Sequence, residues 1–337
     1  MTAKEQYSAF CQRHPEMPVM YQPWWLDAVC AGKQWDVMLV KKSEISGQRS
    51  AVSEQDDDVV AAMPYMLRKR LQYTFIIMPQ MTPYGGVWLN DELLGSPDMQ
   101  ERLAKVIAKR LRAMRIAYYY QQYAISNPLP YWLAKQRMKV EERVTYRIED
   151  LTDIAAPEES FSKNKKRQID KAGELAVDLK MSAEEFYRFH AACMRERGKK
   201  LMYSREFLLV LERKARRAGQ CAIIRVSDQQ SEVSDQTLAA AFVVWDKRYM
   251  YYLIPAYLPS AADTGASARL ADEAIRLAKE KGLQFDFEGG NSSEGIANHY
   301  RQFGAKPVTY YSVSKLYRPS FALLLKVNKW RERLMKY

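Results

Sequence analysis

The chain has 337 residues, a formal net charge of +12 and 47% hydrophobic residues. That length exceeds one ordinary domain and suits two of moderate size, each with its own core. The cation excess favours an anionic partner, whether nucleic acid, a phosphorylated substrate or an anionic membrane surface. Cys11, Cys30, Cys193 and Cys221 have neither metal-site nor disulfide spacing, which argues against a zinc centre and a disulfide framework and for a reducing cytoplasm. The opening MTAKEQYSAFCQRHPEMP lacks the apolar run of a signal peptide, and no stretch reaches the ~20 apolar residues of a membrane-spanning helix. A cytoplasmic protein is expected, with at most peripheral contact at the inner face of a membrane.

In chain order, a short helix is expected over Trp24–Cys30, then strands over 35–41 and 58–68. The polar stretch between these strands has the composition of a hairpin tip. The strand YTFIIM leads into the loop PQMTPYGGVWL. Residues 99–114 read as an amphipathic helix with Leu103, Val106, Ile107 and Leu111 on one stripe. The strand AYYYQQY, a short helix after Pro128 and a strand near 139–148 complete the first half. The second half opens on a basic helix over 161–172, then a strand AVDLKM and helices near 183–197 and 204–218. Strands over 220–227, 237–246 and 248–254 form a meander, with Asp-Lys-Arg as the last tight turn. A helix over 265–281 ends at Gly282, where a left-handed residue is usual. The strand LQFDFEG, a helix over 292–303 and a strand over 306–316 close this half.

A strand, helix, strand passage inside an antiparallel meander makes one parallel pair, with 265–281 as its crossover. That is the element order of the GNAT acyltransferase fold, and the first half has a shorter version of it. The expected fold is α+β: two tandem GNAT-like domains, 1–150 and 151–317, each a mixed, mainly antiparallel sheet flanked by helices. A basic amphipathic helix over 318–337 follows them.

Two stretches carry a family resemblance. SKNKKRQIDKAGELAV resembles the R-x-x-I-x-x-A motif that opens the second domain of Fem-type peptidoglycan aminoacyltransferases, with Lys166, Ile169 and Ala172 at the core positions and lysine in place of arginine. FDFEGGNSSEGIANHYRQFGAKPVTYYSV looks like the ending of GNAT-like relatives of those enzymes. The resemblance implies transfer of an acyl or aminoacyl group to an amine, possible donors being acyl-CoA and aminoacyl-tRNA, with no tightly bound cofactor. Fem enzymes use aminoacyl-tRNA and a phosphorylated cell-wall precursor, which would place this chain in cell-envelope metabolism. The alternatives are an acyl-CoA-dependent N-acyltransferase and a non-catalytic module that binds an anionic polymer or a membrane surface.

Acyl transfer to an amine needs a base, a stabilised carbonyl oxygen and donor and acceptor held together. Asp286 and Glu288 stand two apart in a strand, hence on one face, and two close carboxylates in a dry place raise one pKa. Glu288 is the expected base or amine anchor and Asp286 its partner; the competing reading is a structural pair with an arginine or lysine. Asn291, with Glu294 three residues on, reads as a helix N-cap. The segment misses the G-x-S-x-G elbow, which excludes a serine hydrolase.

Gly265, Ala266 and Ser267 stand where GNAT enzymes carry a glycine-rich turn for acyl-CoA, and the helix start could hold a pyrophosphate. Lys163, Lys166 and Arg167 are placed to meet an anion, since Lys163 and Arg167 lie four apart. That suits a phosphorylated substrate or tRNA, while poor aromatic interleaving argues against sequence-specific binding of DNA or RNA. Tyr84 and Gly85, in TPYGGVW, are candidate acceptor contacts. Tyr251 and Tyr252 put one ring on each face of their strand, so one is core and the other, taken as Tyr252, faces substrate. His14, His190 and His299 lack metal spacing. No metal is expected.

Overall fold

The computed structural model describes residues 2–30, 34–46, 58–228, 236–289 and 293–323. They fall into two compact units, one running to Arg143 and resuming at Thr309, the other Val144–Val308. The sequence pattern sets these boundaries at 150/151 and 317/318.

The first unit begins with α1 (Ala3–Arg13), which the sequence reading lacks. Its signal is the T-x-x-E of a capping box: Thr2 Oγ1 accepts from Glu5 N, and the Glu5 carboxylate accepts from Thr2 N at 2.7 Å. Then come α2 (Pro23–Val29), β1 (Gln34–Lys41), α3 (Lys42–Ser46), β2 (Val59–Arg70), β3 (Tyr73–Ile77), β4 (Trp88–Leu89), α4 (Asp91–Leu94), α5 (Pro97–Ala113), β5 (Tyr118–Gln122), α6 (Leu129–Lys135) and β6 (Lys139–Ile148). Most of the expected hairpin tip, residues 47–57, lies outside the described residues. β1, β2 and β3 pair antiparallel, and β3 runs parallel to β5. α5 lies between those parallel strands in the chain and buries Leu103, Ala104, Ile107 and Leu111 on one stripe.

The second unit contains α7 (Lys163–Lys171), β7 (Ala176–Asp178), α8 (Ala183–Glu196), α9 (Arg205–Arg217), β8 (Cys221–Asp228), β9 (Gln236–Trp245), β10 (Tyr249–Tyr257), α10 (Ala266–Glu280), β11 (Gln284–Asp286) and α11 (Glu294–Arg301); β12 (Lys306–Leu316) follows. β7 to β10 form an antiparallel meander, and β10 runs parallel to β11 through the crossover α10. Asp246 organises the β9–β10 turn by accepting from the N–H groups of Arg248 and Tyr249, each at 2.9 Å. α10 buries Leu270, Ala271, Ala274, Ile275 and Ala278 against the sheet and stops before Gly282, whose φ is +68°. Each unit is therefore a mixed, mainly antiparallel sheet flanked by helices, with a parallel pair on either side of a crossover.

Three local expectations change. The strand expected over 283–289 is only β11, and Glu288 adopts φ +50°, so Asp286 and Glu288 do not alternate along one pleat. The N-cap of α11 is Ser293, whose hydroxyl accepts from Ile296 N. Gly290 and Asn291 lie outside the described residues. Tyr251 and Tyr252 are both buried: the Tyr251 hydroxyl donates to Asp246 Oδ2 at 2.8 Å, and the Tyr252 ring meets Phe285 and Phe287. Of the expected C-terminal helix, residues 324–337 lie outside the described ones, while Phe321 packs on Tyr73, Phe75 and Tyr118.

Candidate active site

The chemistry-bearing groups of the second unit gather where β10 and β11 part. Their parallel ladder ends at Tyr251 opposite Asp286, while β10 continues to Tyr257. A register irregularity between Tyr251 and Ile254 bends β10 at the same place. Beyond it, Pro255, Ala256 and Tyr257 of β10 line a cavity.

The Asp286 carboxylate is fully buried and fully engaged. Oδ2 accepts from Arg147 Nε at 2.7 Å, and Oδ1 accepts from Thr145 Oγ1 at 2.7 Å and Glu288 N at 2.8 Å. Gly289 N donates to Thr145 Oγ1 at 3.2 Å. Asp286 thus ties the strand end to the left-handed turn that presents Glu288. Burial, and after it the Asp286 charge, raises the Glu288 pKa well above the ordinary carboxylate value.

Two cavities lie in this unit, and Asp286 and Glu288 line neither; the Glu288 charge acts on the phenol of Tyr300, which walls one of them. One, of about 580 Å³, is walled by Tyr252 and Tyr257 from β10, His190 and Arg197 from the α8 side, and Ile296, His299 and Tyr300 from α11. Burial raises the pKa values of the Tyr252 and Tyr300 phenols, which stay protonated at ordinary pH. His190 Nδ1 lies 2.7 Å from the Tyr203 hydroxyl, and burial, ahead of the Arg197 charge, lowers its pKa to about 4.

The second cavity, of about 490 Å³, lies between α7, the start of α10 and α11. Tyr257, Ser267, Gly295 and His299 line both. α7 starts at Ser162, whose hydroxyl accepts from Lys165 N. One face of α7 sends Asn164, Lys165, Gln168 and Lys171 to the cavity. Lys165 is 2% exposed; its Nζ donates to Gln168 Oε1 at 2.8 Å and lies 3.2 Å from His299 Nδ1. Burial lowers Lys165 to about 8, and burial with the Lys165 charge second lowers His299 to about 4.

The structure distributes the expected site residues unevenly. Glu288 and Asp286 lie together at the strand end. Tyr252 walls the larger cavity. Lys163, Lys166 and Arg167 are exposed on α7 and line neither cavity. Tyr84 and Gly85 belong to the first unit, where Tyr84 packs buried on Tyr310 and Gly85 N donates to Gln122 O. Gly265 and Ser267 line the smaller cavity, but Ala266 is core.

Gly265, at φ +83°, serves a close helix approach: a Cβ there would sit 2.2 Å from the Gln168 carbonyl oxygen of α7. The first N–H groups of α10 are largely taken, Ala266 N by Thr264 Oγ1 and those of Ala268 and Arg269 by Gly265 O. Sequence reasoning did not single out Lys165 and His299, because a run of four cations hides the inward one and the two partners are 134 residues apart. Among the described residues, no group of three or more His, Cys, Asp or Glu is placed to hold a metal ion.

Residues 160–301 match the family model of the acetyltransferase (GNAT) domain. Over this segment the chain is similar to GNAT acetyltransferases. The match takes in α7, the β8–β10 meander, the crossover α10, β11 and α11, and with them both cavities. No curated protein matches the chain by sequence. Among solved structures, FemX superposes at a TM-score of 0.68 with 13% identity, over 96% of this chain and 98% of that one. The C-terminal domain of a putative lysylphosphatidylglycerol synthetase from Agrobacterium fabrum gives 0.58 and 11%, over 96% and 95%. A tandem GNAT protein from the clavulanic acid biosynthesis pathway gives 0.53 and 9%, over 93% and 94%. At these identities the likeness is one of fold, and it extends beyond the GNAT domain to nearly the whole chain. The GNAT domain makes acyl transfer the chemistry its cavities have to explain.

Proposed function

We propose that the chain transfers an acyl or aminoacyl group to an amine, with the reaction centred on the larger cavity of the second unit. The observation that carries this reading is the early end of the β10–β11 ladder at Tyr251–Asp286, beside a cavity walled by the rest of β10. An open strand edge offers backbone donors and acceptors to an extended donor arm and can hold its carbonyl in place. Glu288 is the base: burial and, after it, the neighbouring Asp286 charge make its carboxylate a stronger proton acceptor than an ordinary one. Asp286 is a positioning residue, since its oxygens are engaged by Arg147, Thr145 and the Glu288 N–H. Tyr252 or Tyr300, protonated and facing the cavity, donates to the leaving group. The exposed Lys163, Lys166 and Arg167 suit an anionic partner such as a phosphorylated acceptor or tRNA.

The donor we favour is an aminoacyl ester carried on tRNA. A diphosphate at the start of α10 would find most of the first-turn N–H groups already engaged. The GNAT match favours the second reading, acyl-CoA as donor. The whole-chain likeness to FemX and to the lysylphosphatidylglycerol synthetase domain supports aminoacyl transfer in cell-envelope metabolism, with a lipid-linked or peptide amine as acceptor. The described residues include no helix long and apolar enough to cross a membrane, and their four cysteines are free thiols, which suits a cytoplasmic site of action.

The test offers the full chain acetyl-CoA and, separately, aminoacyl-tRNA, each with a panel of primary amines, and measures amide formation. Glu288→Gln is expected to slow turnover by roughly 10²–10⁴-fold. Undiminished turnover by that variant removes Glu288 from the mechanism, and preferential use of acetyl-CoA selects the second reading.

A further inference from the structure

One end of the first unit's sheet is strongly cationic and carries exposed leucines. The β2–β3 hairpin turns there, with Arg70 opposite Tyr73 as its last pair and Leu71 at the tip. β3 runs parallel to β5, and β12 runs antiparallel to β5, so the start of β5 and the end of β12 lie at the same end. Backbone bonds tie the three together: Ala117 N donates to Thr74 O at 2.7 Å, and Tyr317 N donates to Ala117 O at 2.9 Å. Arg68, Lys69 and Arg70 from the hairpin, Arg112 and Arg115 from the approach to β5 and Arg318 after β12 are all exposed. No acid occurs in the sequence between Asp58 and Asp91, between Glu101 and Glu141 or between Glu294 and Glu332, the stretches that supply this end. The first acid along β1 is Asp36, opposite Tyr65 and so set back from the tip. Leu71 is 77% exposed, and its φ of +53° lies in the left-handed region that suits glycine or asparagine. Leu316, at the end of β12, is 39% exposed, and Leu323, 69% exposed, follows Phe321, which packs on Tyr73. An apolar side chain at a strained tip costs stability, and so does a patch of cations without acids. Both features stabilise a complex with a partner that is anionic at its surface and apolar just beneath it.

We propose that this end of the first unit is a docking surface for an anionic lipid bilayer. The cations meet the headgroup phosphates, each contributing about a fivefold gain in binding, and Leu71 enters the acyl boundary as an apolar wedge. The exposed leucines favour a bilayer over a nucleic acid, whose phosphate backbone takes cations but gives an apolar side chain nothing to enter. Tyr73, Tyr118 and Tyr317 at this end are buried or half-buried, so their rings are not laid open for bases to stack on. The surface is separate from the exposed cations of α7, which belong to the second unit. It would bring the chain to a lipid-linked acceptor, one of those considered above, but it rests on charge and exposure and not on the reaction.

The experiment measures co-sedimentation of the full chain with vesicles of phosphatidylcholine and of equal parts phosphatidylcholine and phosphatidylglycerol, at low and high salt, and binding of unfractionated tRNA by the same proteins. Wild type is expected to bind the anionic vesicles, to release them at high salt and to bind the neutral ones weakly. Leu71→Gly relieves the left-handed backbone, which keeps the variant folded, and is expected to bind anionic vesicles roughly tenfold more weakly. Arg68→Gln combined with Lys69→Gln removes two charges and is expected to weaken binding about twentyfold to thirtyfold. Leu179→Gly, at another exposed leucine beside a lysine, is expected to leave it unchanged. All these variants keep residues 324–337, so binding through the basic C-terminal stretch alone would leave the hairpin variants like wild type, and that result overturns the proposal. So does equal binding to both kinds of vesicle, or binding to neither. Binding of tRNA that the charge variant weakens, with vesicle binding the same in every variant, makes this end a nucleic-acid surface and likewise overturns it. None of these assays monitors acyl transfer, so the surface stands or falls apart from the reaction proposed above.

Discussion

Asp286→Asn separates the structural and chemical parts of the proposed mechanism. The Asp286 side chain has no solvent exposure, and that of its partner Arg147 has 7%. Asparagine can still accept from Thr145 and from Glu288 N, but it removes the carboxylate facing the Arg147 guanidinium. Breaking a buried pair by neutralising one partner costs about 3–5 kcal/mol. Arg147 retains the face of Tyr249, 4.0 Å from its ring centroid, and lies 3.8 Å from the half-exposed Glu149, so the expected loss is near the lower end, ~3 kcal/mol. Urea unfolding measures it, and a loss under ~1 kcal/mol would show that the pair does not anchor the strand end.

The same substitution has a signed effect on catalysis. Glu288 serves as base only when ionised, so transfer falls as pH drops through its pKa. Two causes hold that pKa high, burial first and the Asp286 charge second. Removing the charge leaves burial, so the acid limb of the rate profile moves to lower pH and remains above the ordinary carboxylate range. The measurement is kcat/KM against pH, normalised to folded protein. A limb that stays in place or moves upward would refute the assignment of Glu288 as base and Asp286 as its neighbour.

Gly282→Ala and Gly265→Ala make a paired test of helix approach. Both positions have positive φ, but a Cβ at Gly282 meets nothing within 4 Å, whereas one at Gly265 strikes the Gln168 carbonyl oxygen. Chemical denaturation is expected to show a loss of about 1 kcal/mol for the first and substantially more for the second; equal losses would remove the close-approach argument. Lys165 titrates near 8 folded and near 10.5 ordinarily, so the unfolded chain binds the extra proton between those values and stability gains a rising contribution with pH there. Wild type is therefore expected to gain stability relative to Lys165→Met from pH 8 to 10.5, measured by denaturation at each pH; a constant difference would contradict it. His190 has a folded pKa of about 4 against 6.5 ordinarily, so its contribution is present above 6.5 and lost as pH falls towards 4. His190→Gln is expected to lose less stability than wild type across that interval, and parallel curves would show that the histidine is not held neutral.

The element order was readable because hydrophobic period and helix-stop chemistry are local. Leu270, Ala274 and Ala278 mark one stripe of α10, and Gly282 marks its end, so the parallel β10–β11 pair follows from a helix between two strands. The acidic pair was readable as residues but not as geometry. Strict alternation places Asp286 and Glu288 on one pleat, yet strand pairing stops at Asp286 and the chain turns left-handed at Glu288. The turn is held by Thr145, about 140 residues away in sequence, which no local pattern announces.

The cavity charges show the same limit more sharply. Along KNKKR every cation looks alike, and a basic run reads as a solvated face. At about 100° per residue, however, a helix that turns Lys163, Lys166 and Arg167 outward turns Lys165 inward. Whether inward means buried depends on how near the neighbouring helix comes, and that is set by Gly265. A side chain there would collide with α7 at Gln168, the same residue whose carboxamide receives the Lys165 ammonium. The glycine that reads as a phosphate cradle by its place before a crossover helix also acts through packing. By letting α7 close on α10, it allows the inward lysine to be buried against Gln168.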